Sequence, residues 1–204
     1  MLEKYLRRLN FTRSSSSEFT EEHFRRLFAL SSELLLPKRD VAVMGVGLIP
    51  MGHVLVNLGH KVCALEFAEG EQSFLPAAGI VDATGSVRGH RTSLSAEDLD
   101  VFVGIYAFLR DVSRPFLLRE MARVLRPGGQ LLLVEPKPTQ EARLRRLQAR
   151  FGLPVVSVEP VNEESLRYYG NEFFDWKMPY HFPFGDGWQV FFGERRWEPV
   201  SNSD

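Results

Sequence analysis

Four short runs of this chain are apolar almost without interruption: Asp40–Val46 (DVAVMGV), Lys61–Phe67 (KVCALEF), Val101–Tyr106 (VFVGIY) and Gln130–Glu135 (QLLLVE). A strand with one wet face alternates apolar and polar residues. A strand without that alternation needs cover on both faces, which means a parallel sheet between helices. The chain supplies the cover in sequence. Gly52–Leu58 reads as a helical stretch, and Ser113 caps a helix with Pro115 in its first turn and Phe116, Leu117, Met121, Val124 and Leu125 on one face. Pro127-Gly128-Gly129 breaks that helix, and Thr139–Phe151 forms a basic helix ended by Gly152. Strands alternating with helices predict an α/β fold, doubly wound around a mostly parallel sheet.

The remaining segments are assigned around that core. Leu2, Tyr5, Leu6 and Leu9 share one helical face, and a second helix opens at Thr20, carries Phe24, Leu27, Leu30 and Leu34, and stops at Pro37. Residues 1–37 are thus expected to be N-terminal helices and 38–204 the main globular domain. Gly79–Asp82, Ser86–His90, Pro154–Pro160 and Gly187–Phe192 read as further strands. Pro179–Gly187 (PYHFPFGDG) enters the last one with no helix between, so that strand is expected to run antiparallel.

Composition removes several functions. Basic and acidic residues number 25 and 26, a net charge of −1, which lacks the basic excess of a dedicated nucleic-acid binder. The single cysteine, Cys63, excludes a disulfide framework and any multi-thiolate metal site. No apolar run approaches the ~18 residues that span a bilayer, and Met1–Arg8 lacks a secretory signal's apolar stretch. A cytoplasmic protein without nucleic-acid or membrane partners, and with no metal site, is the expectation.

In a doubly wound sheet the ligand sits beyond the carboxyl ends of the strands. The first such end is Met44-Gly45-Val46-Gly47, where glycines let backbone approach a ligand and a helix N-terminus follows. Glu66 ends the second run, 21 positions after Gly45, near the ~20-residue spacing at which an acid receives ribose hydroxyls. Together these predict a nucleoside cofactor without choosing one. Gly45-Val46-Gly47 with Gly59-His60-Lys61-Val62 is similar to the opening of NAD(P)-dependent hydroxyacid dehydrogenases, which keeps an NAD(P) oxidoreductase as one alternative.

The second half points elsewhere. Leu99-Asp100-Val101-Phe102-Val103, and Phe116–Glu135 with its Arg123-Val124-Leu125-Arg126-Pro127-Gly128-Gly129 segment, resemble the class I S-adenosylmethionine-dependent methyltransferases over roughly residues 38–195. The resemblance implies a Rossmann-like, seven-stranded sheet with an antiparallel last strand, and S-adenosylmethionine as the cofactor. It places Met44, Gly45, Val46 and Gly47 against the donor's methionine part, Glu66 on its ribose and Phe67 beside its adenine. His90, with Asp82 as rival, takes the adenine amine, and Tyr106 faces the methyl group. Where the family has an acid before its first glycine this chain has Val43, and Ile49-Pro50 follow the glycines. Those substitutions support an alternative: a catalytically inactive, methyltransferase-like binding or assembly protein.

Methyl transfer from a sulfonium is largely in-line positioning, often with one base. Tyr106 and His181 are the candidate catalytic residues, with Asp111 and His90 behind them. The aromatic segment Tyr168–Trp188 serves either as a lid over an apolar small-molecule substrate or as a homodimer surface. The leading expectation is S-adenosylmethionine-dependent methyl transfer to a small molecule.

Overall fold

The computed structural model describes residues 39–45, 51–52, 55–56, 58–67, 83–105, 107–108, 114–137, 142, 145, 161–177 and 188–197. The expected N-terminal helices, the 154–160 strand and the 79–82 strand lie outside them.

The four apolar runs form the centre of one sheet. In chain order the strands are β1 (Asp40–Gly45), β2 (Lys61–Phe67), β3 (Ala83–Arg88), β4 (Arg91–Thr92), β5 (Leu99–Ile105), β6 (Leu125–Pro136), β7 (Phe174–Trp176) and β8 (Trp188–Arg195). The sheet order is β4-β3-β2-β1-β5-β6-β8-β7. Strands β3, β2, β1, β5 and β6 are parallel. β8 pairs antiparallel with β6 and β7, as expected from the sequence, and the two-residue β4 lies antiparallel on β3.

Both faces are buried. Ala42, Met44, Phe102, Leu131 and Leu133 join one core cluster with α1 (Arg114–Val124) through Leu117, Leu118 and Met121, and with α2 (Glu163–Gly170) through Leu166. Their alternates Val41, Val43, Val101, Val103, Leu132 and Val134 are equally buried and belong to the other face. This is why the runs show no polar alternation.

The turns follow local chemistry. Between β1 and β2 the chain is helical at 51–52 and 55–56 and ends at Gly59 with φ +88°. There the N–H of His60 donates to the Leu55 carbonyl and that of Gly59 to the Val56 carbonyl, a Schellman closure that turns the chain into β2. α2 opens on a capping box in which Asn162 accepts from the Ser165 N–H and Ser165 accepts from the Asn162 N–H.

Two elements depart from the sequence reading. β6 begins at once where α1 ends, with Leu125 opposite Leu99 and then Gln130 opposite Val101, so Pro127-Gly128-Gly129 form an irregularity inside the strand's first stretch and not a loop before it. Further on, Phe173 and Phe174 are fully buried and Trp176 is 9% exposed between Gly170 and Gly193. This part of the aromatic segment is therefore core, while Tyr168 and Tyr169 on α2 face outward. A strand at 174–176 escaped the sequence reading because three residues are too few to show a period.

β3 connects to β5 without a helix. After the turn at 89–90 and β4 on the outer edge of β3, residues 93–98 return past the intervening strands to the start of β5. On the way the chain runs along α1. His90 stacks on Phe116 at 4.9 Å, Thr92 bonds Glu120, the Leu94 carbonyl accepts from Arg123 at 2.7 Å, and the Glu97 and Asp98 N–H groups reach the Arg123 and Val124 carbonyls.

Candidate functional site

The carboxyl ends of β1, β2, β5 and β6 lie side by side. Gly45 is opposite Ile105, Ile105 is opposite Val134, and Met44 is opposite Leu65. The β1–β2 register holds a constant offset of 21, from Asp40 opposite Lys61 to Met44 opposite Leu65. The sequence spacing between Gly45 and Glu66 is that same offset, so Glu66 occupies the next position of the ladder beside Gly45. At the level of the backbone this fits a nucleoside: a glycine turn leading to helical residues, with an acid one strand away, about 5 Å.

Gly45 has a second explanation. Its φ is +102°, and a Cβ there would collide with the Ile105 carbonyl oxygen. The lack of a side chain is thus demanded by the neighbouring strand, whatever binds above it. Met44 is fully buried and belongs to the core cluster, leaving only its backbone for a ligand. Glu66 and Phe67 end β2. His90 is exposed in the β3–β4 turn and stacked on Phe116, itself 49% exposed. Val46, Gly47, Tyr106, His181, Asp82, Asp111, Ile49 and Pro50 lie outside the described residues. Of the expected site, then, the structure brings Gly45 and Glu66 together and holds His90 against α1.

The sequence reading missed one group at this end. Glu135, near the tip of β6, is 2% exposed, and the Ala107 N–H donates to its Oε1 at 2.8 Å. Burial pushes its carboxyl up to about 8, against the N–H groups of Ala107 and Phe108 and the charge of Arg114, which favour the anion. Its signal in the sequence is an acid closing an apolar run, the same feature that singled out Glu66.

The Arg123–Gly129 part of the family resemblance sits at the opposite end of the sheet, about 20 Å away. Arg126 donates to Asp100 at 2.8 Å and to Asp40 at 3.3 Å, tying the starts of β1, β5 and β6. Burial would raise the Asp100 carboxyl, but the Asp40 N–H and the Arg126 guanidinium outweigh it and hold it below its ordinary value. Arg123 grips Glu120, and Gly128, at φ +75°, lies under the Trp197 ring. Arg195 reaches the Leu125 carbonyl and Glu97. The described contacts of Arg123, Arg126 and Gly128 are architectural.

Among the described residues no group of three or more His, Cys, Asp and Glu side chains could hold a metal ion, and no helix is long and apolar enough to cross a membrane.

No protein-family model and no curated protein matches the sequence. Solved structures do. A SAM-dependent methyltransferase from Methanosarcina mazei aligns with a TM-score of 0.57 at 17% identity, over 83% of this chain and 98% of that one. The PH0226 protein of Pyrococcus horikoshii gives 0.64 at 12% identity, over 95% and 99%. A SAM-dependent methyltransferase from Thermotoga maritima gives 0.60 at 15%, over 85% and 89%. With the strand order, the antiparallel β8 and these neighbours, the chain has the fold of the class I S-adenosylmethionine-dependent methyltransferases.

Proposed function

We propose that this protein transfers a methyl group from S-adenosylmethionine to a small-molecule acceptor. The observation that carries the reading is the register of Gly45 and Glu66 at the carboxyl ends of β1 and β2. Glu66 is the residue to bind the ribose hydroxyls, the end of β1 at Gly45 to approach the methionine portion, Phe67 to flank the adenine and His90 to meet its amine. The bound donor supplies an electrophilic methyl group; the protein's part is to orient it, exclude water and hold an acceptor in line. Tyr106 and His181 are the residues we assign to the acceptor side.

Isothermal titration with S-adenosylmethionine and S-adenosylhomocysteine tests this, with saturable micromolar binding expected. Absence of binding at millimolar ligand overturns it. Glu66→Ala should weaken both ligands at least tenfold.

One observation favours a second reading. Val43, where the family resemblance calls for an acid, is fully buried and paired with Ala64 and Val103 in the sheet. A methyltransferase-like binding or assembly protein accounts for that loss. It predicts no donor binding and a defined oligomer, a homodimer included, in light scattering. An NAD(P) oxidoreductase predicts a saturable response in a fluorescence titration with NADH.

A further inference from the structure

The buried Glu135 carboxyl has no role in the reading above. It stands on β6, one position beyond Val134, which faces Ile105 on β5, which in turn faces Gly45 on β1. It is therefore two strand spacings, about 10 Å, from the glycine turn, on the same end of the sheet. Its Oε1 accepts the Ala107 N–H at 2.8 Å, and the Phe108 N–H also donates to the carboxyl group. These two residues follow directly on Tyr106, the first residue after β5. Ala107 and Phe108 are themselves buried, at 1% and 2% exposure, so the carboxyl group anchors a segment that solvent does not reach.

A polar group is seldom buried this completely without a task, and an ionisable one still more seldom. Anchoring two N–H groups alone would be served by a glutamine. A glutamate adds a charge that can appear or vanish with its surroundings. Among the described residues, Arg114 on α1 acts on it, Lys137 just past β6 is exposed, and its β8 partner Gln189 is neutral. On the β5 side the described residues contribute the two N–H groups. A cation arriving at this end of the sheet meets a carboxyl group on which, among the described residues, Arg114 is the one positive charge acting.

Resting on the donor reading proposed above, we infer that Glu135 is a positioning residue of the donor site: it fixes the β5-tip segment through Ala107 and Phe108, and it releases its proton when a sulfonium is seated beside that segment. S-adenosylmethionine and S-adenosylhomocysteine differ by the sulfonium charge and one methyl group, so the coupling distinguishes them. The proton leaves to solvent on donor binding and returns when methyl transfer has turned the sulfonium into a neutral thioether. Product thereby loses an attraction that substrate had.

The test is calorimetric titration of the intact protein with each ligand, in buffers of different ionisation enthalpy, between pH 6 and 8. The wild type should release a substantial fraction of a proton on binding S-adenosylmethionine at pH 7 and much less on binding S-adenosylhomocysteine. Its preference for the sulfonium should rise about fivefold between pH 6 and pH 8, since a unit charge about 10 Å from a buried carboxyl group shifts it by about one pH unit. In Glu135→Gln, which keeps an acceptor for the N–H groups, that extra proton release should vanish and the preference should become independent of pH. Wild type that binds both ligands with equal proton release, or a Glu135→Gln variant with unchanged release, overturns the inference and leaves the donor reading standing. Wild type that binds neither ligand overturns both.

Discussion

Glu135 also makes a prediction about folding that needs no ligand. In the folded protein its carboxyl group keeps its proton up to about pH 8, because burial outweighs the N–H groups and Arg114. In the unfolded chain it ionises at its ordinary value of 4.5. The folded state therefore binds more protons between those two values, and stability falls as pH rises through that window. At pH 7 the folded protein is disadvantaged by about 3 kcal/mol relative to a neutral side chain, at about 1.4 kcal/mol per pH unit above 4.5. That is a large part of a total stability of about 5–15 kcal/mol. Glu135→Gln removes the ionisation and keeps an oxygen for the Ala107 N–H. The variant should match the wild type near pH 4.5 and exceed it by about 2–3 kcal/mol at pH 7, measured from urea unfolding midpoints at half-unit pH steps. A stability difference that stays constant across that range would refute the reasoning, since only ionisation makes the two chains diverge with pH.

Glu120 gives the opposite sign. Its Oε1 accepts the Thr92 N–H, the Thr92 hydroxyl and Arg123 Nη2, and its Oε2 accepts Arg123 Nε. Burial would raise this carboxyl, but the Arg123 and Thr92 bonds hold it below its ordinary value. Its contribution is therefore present above the unfolded value and lost as pH falls through the lower folded one. Glu120→Ala should cost about 3 kcal/mol by leaving these donors unmet, with hydrogen exchange at Thr92, Glu97 and Asp98 accelerating first. Glu120→Gln sets an amide N–H₂ against Arg123 Nε and should recover only part of the loss. At Gly45, alanine would meet the Ile105 carbonyl and an unfavourable φ together, and should cost about 3 kcal/mol in thermal unfolding. Gly59→Ala and Gly89→Ala, where φ is positive but space is open, should cost only about 1 kcal/mol.

Much of the architecture was legible because burial leaves a trace in one dimension. DVAVMG, KVCALEF and QLLLVE read as strands covered on both faces, and their alternation with helices leaves a parallel sheet. The Gly45 to Glu66 spacing was legible for a related reason: in a parallel pair joined by one helix, sequence distance and register are the same number. The short β7, the helix-free crossing at 89–98 and the PGG irregularity carry no periodic signature, and each exists because a neighbouring element holds it. Arg123 and Arg126 drew attention as part of a family segment, yet their partners Glu120, Leu94, Asp40 and Asp100 place them at the end of the sheet away from the site.

By itself the sequence determined which segments must be buried, and hence the order of strands and helices, because the hydrophobic effect acts on composition and period. The environment of each polar group was decided only in three dimensions. Glu120 and Glu135 are the same residue type, and the fold buries both. Yet Glu120 is held anionic by four donors and Glu135 neutral by burial, since desolvation and hydrogen bonding depend on which residues, distant in the chain, the fold brings within a few ångströms.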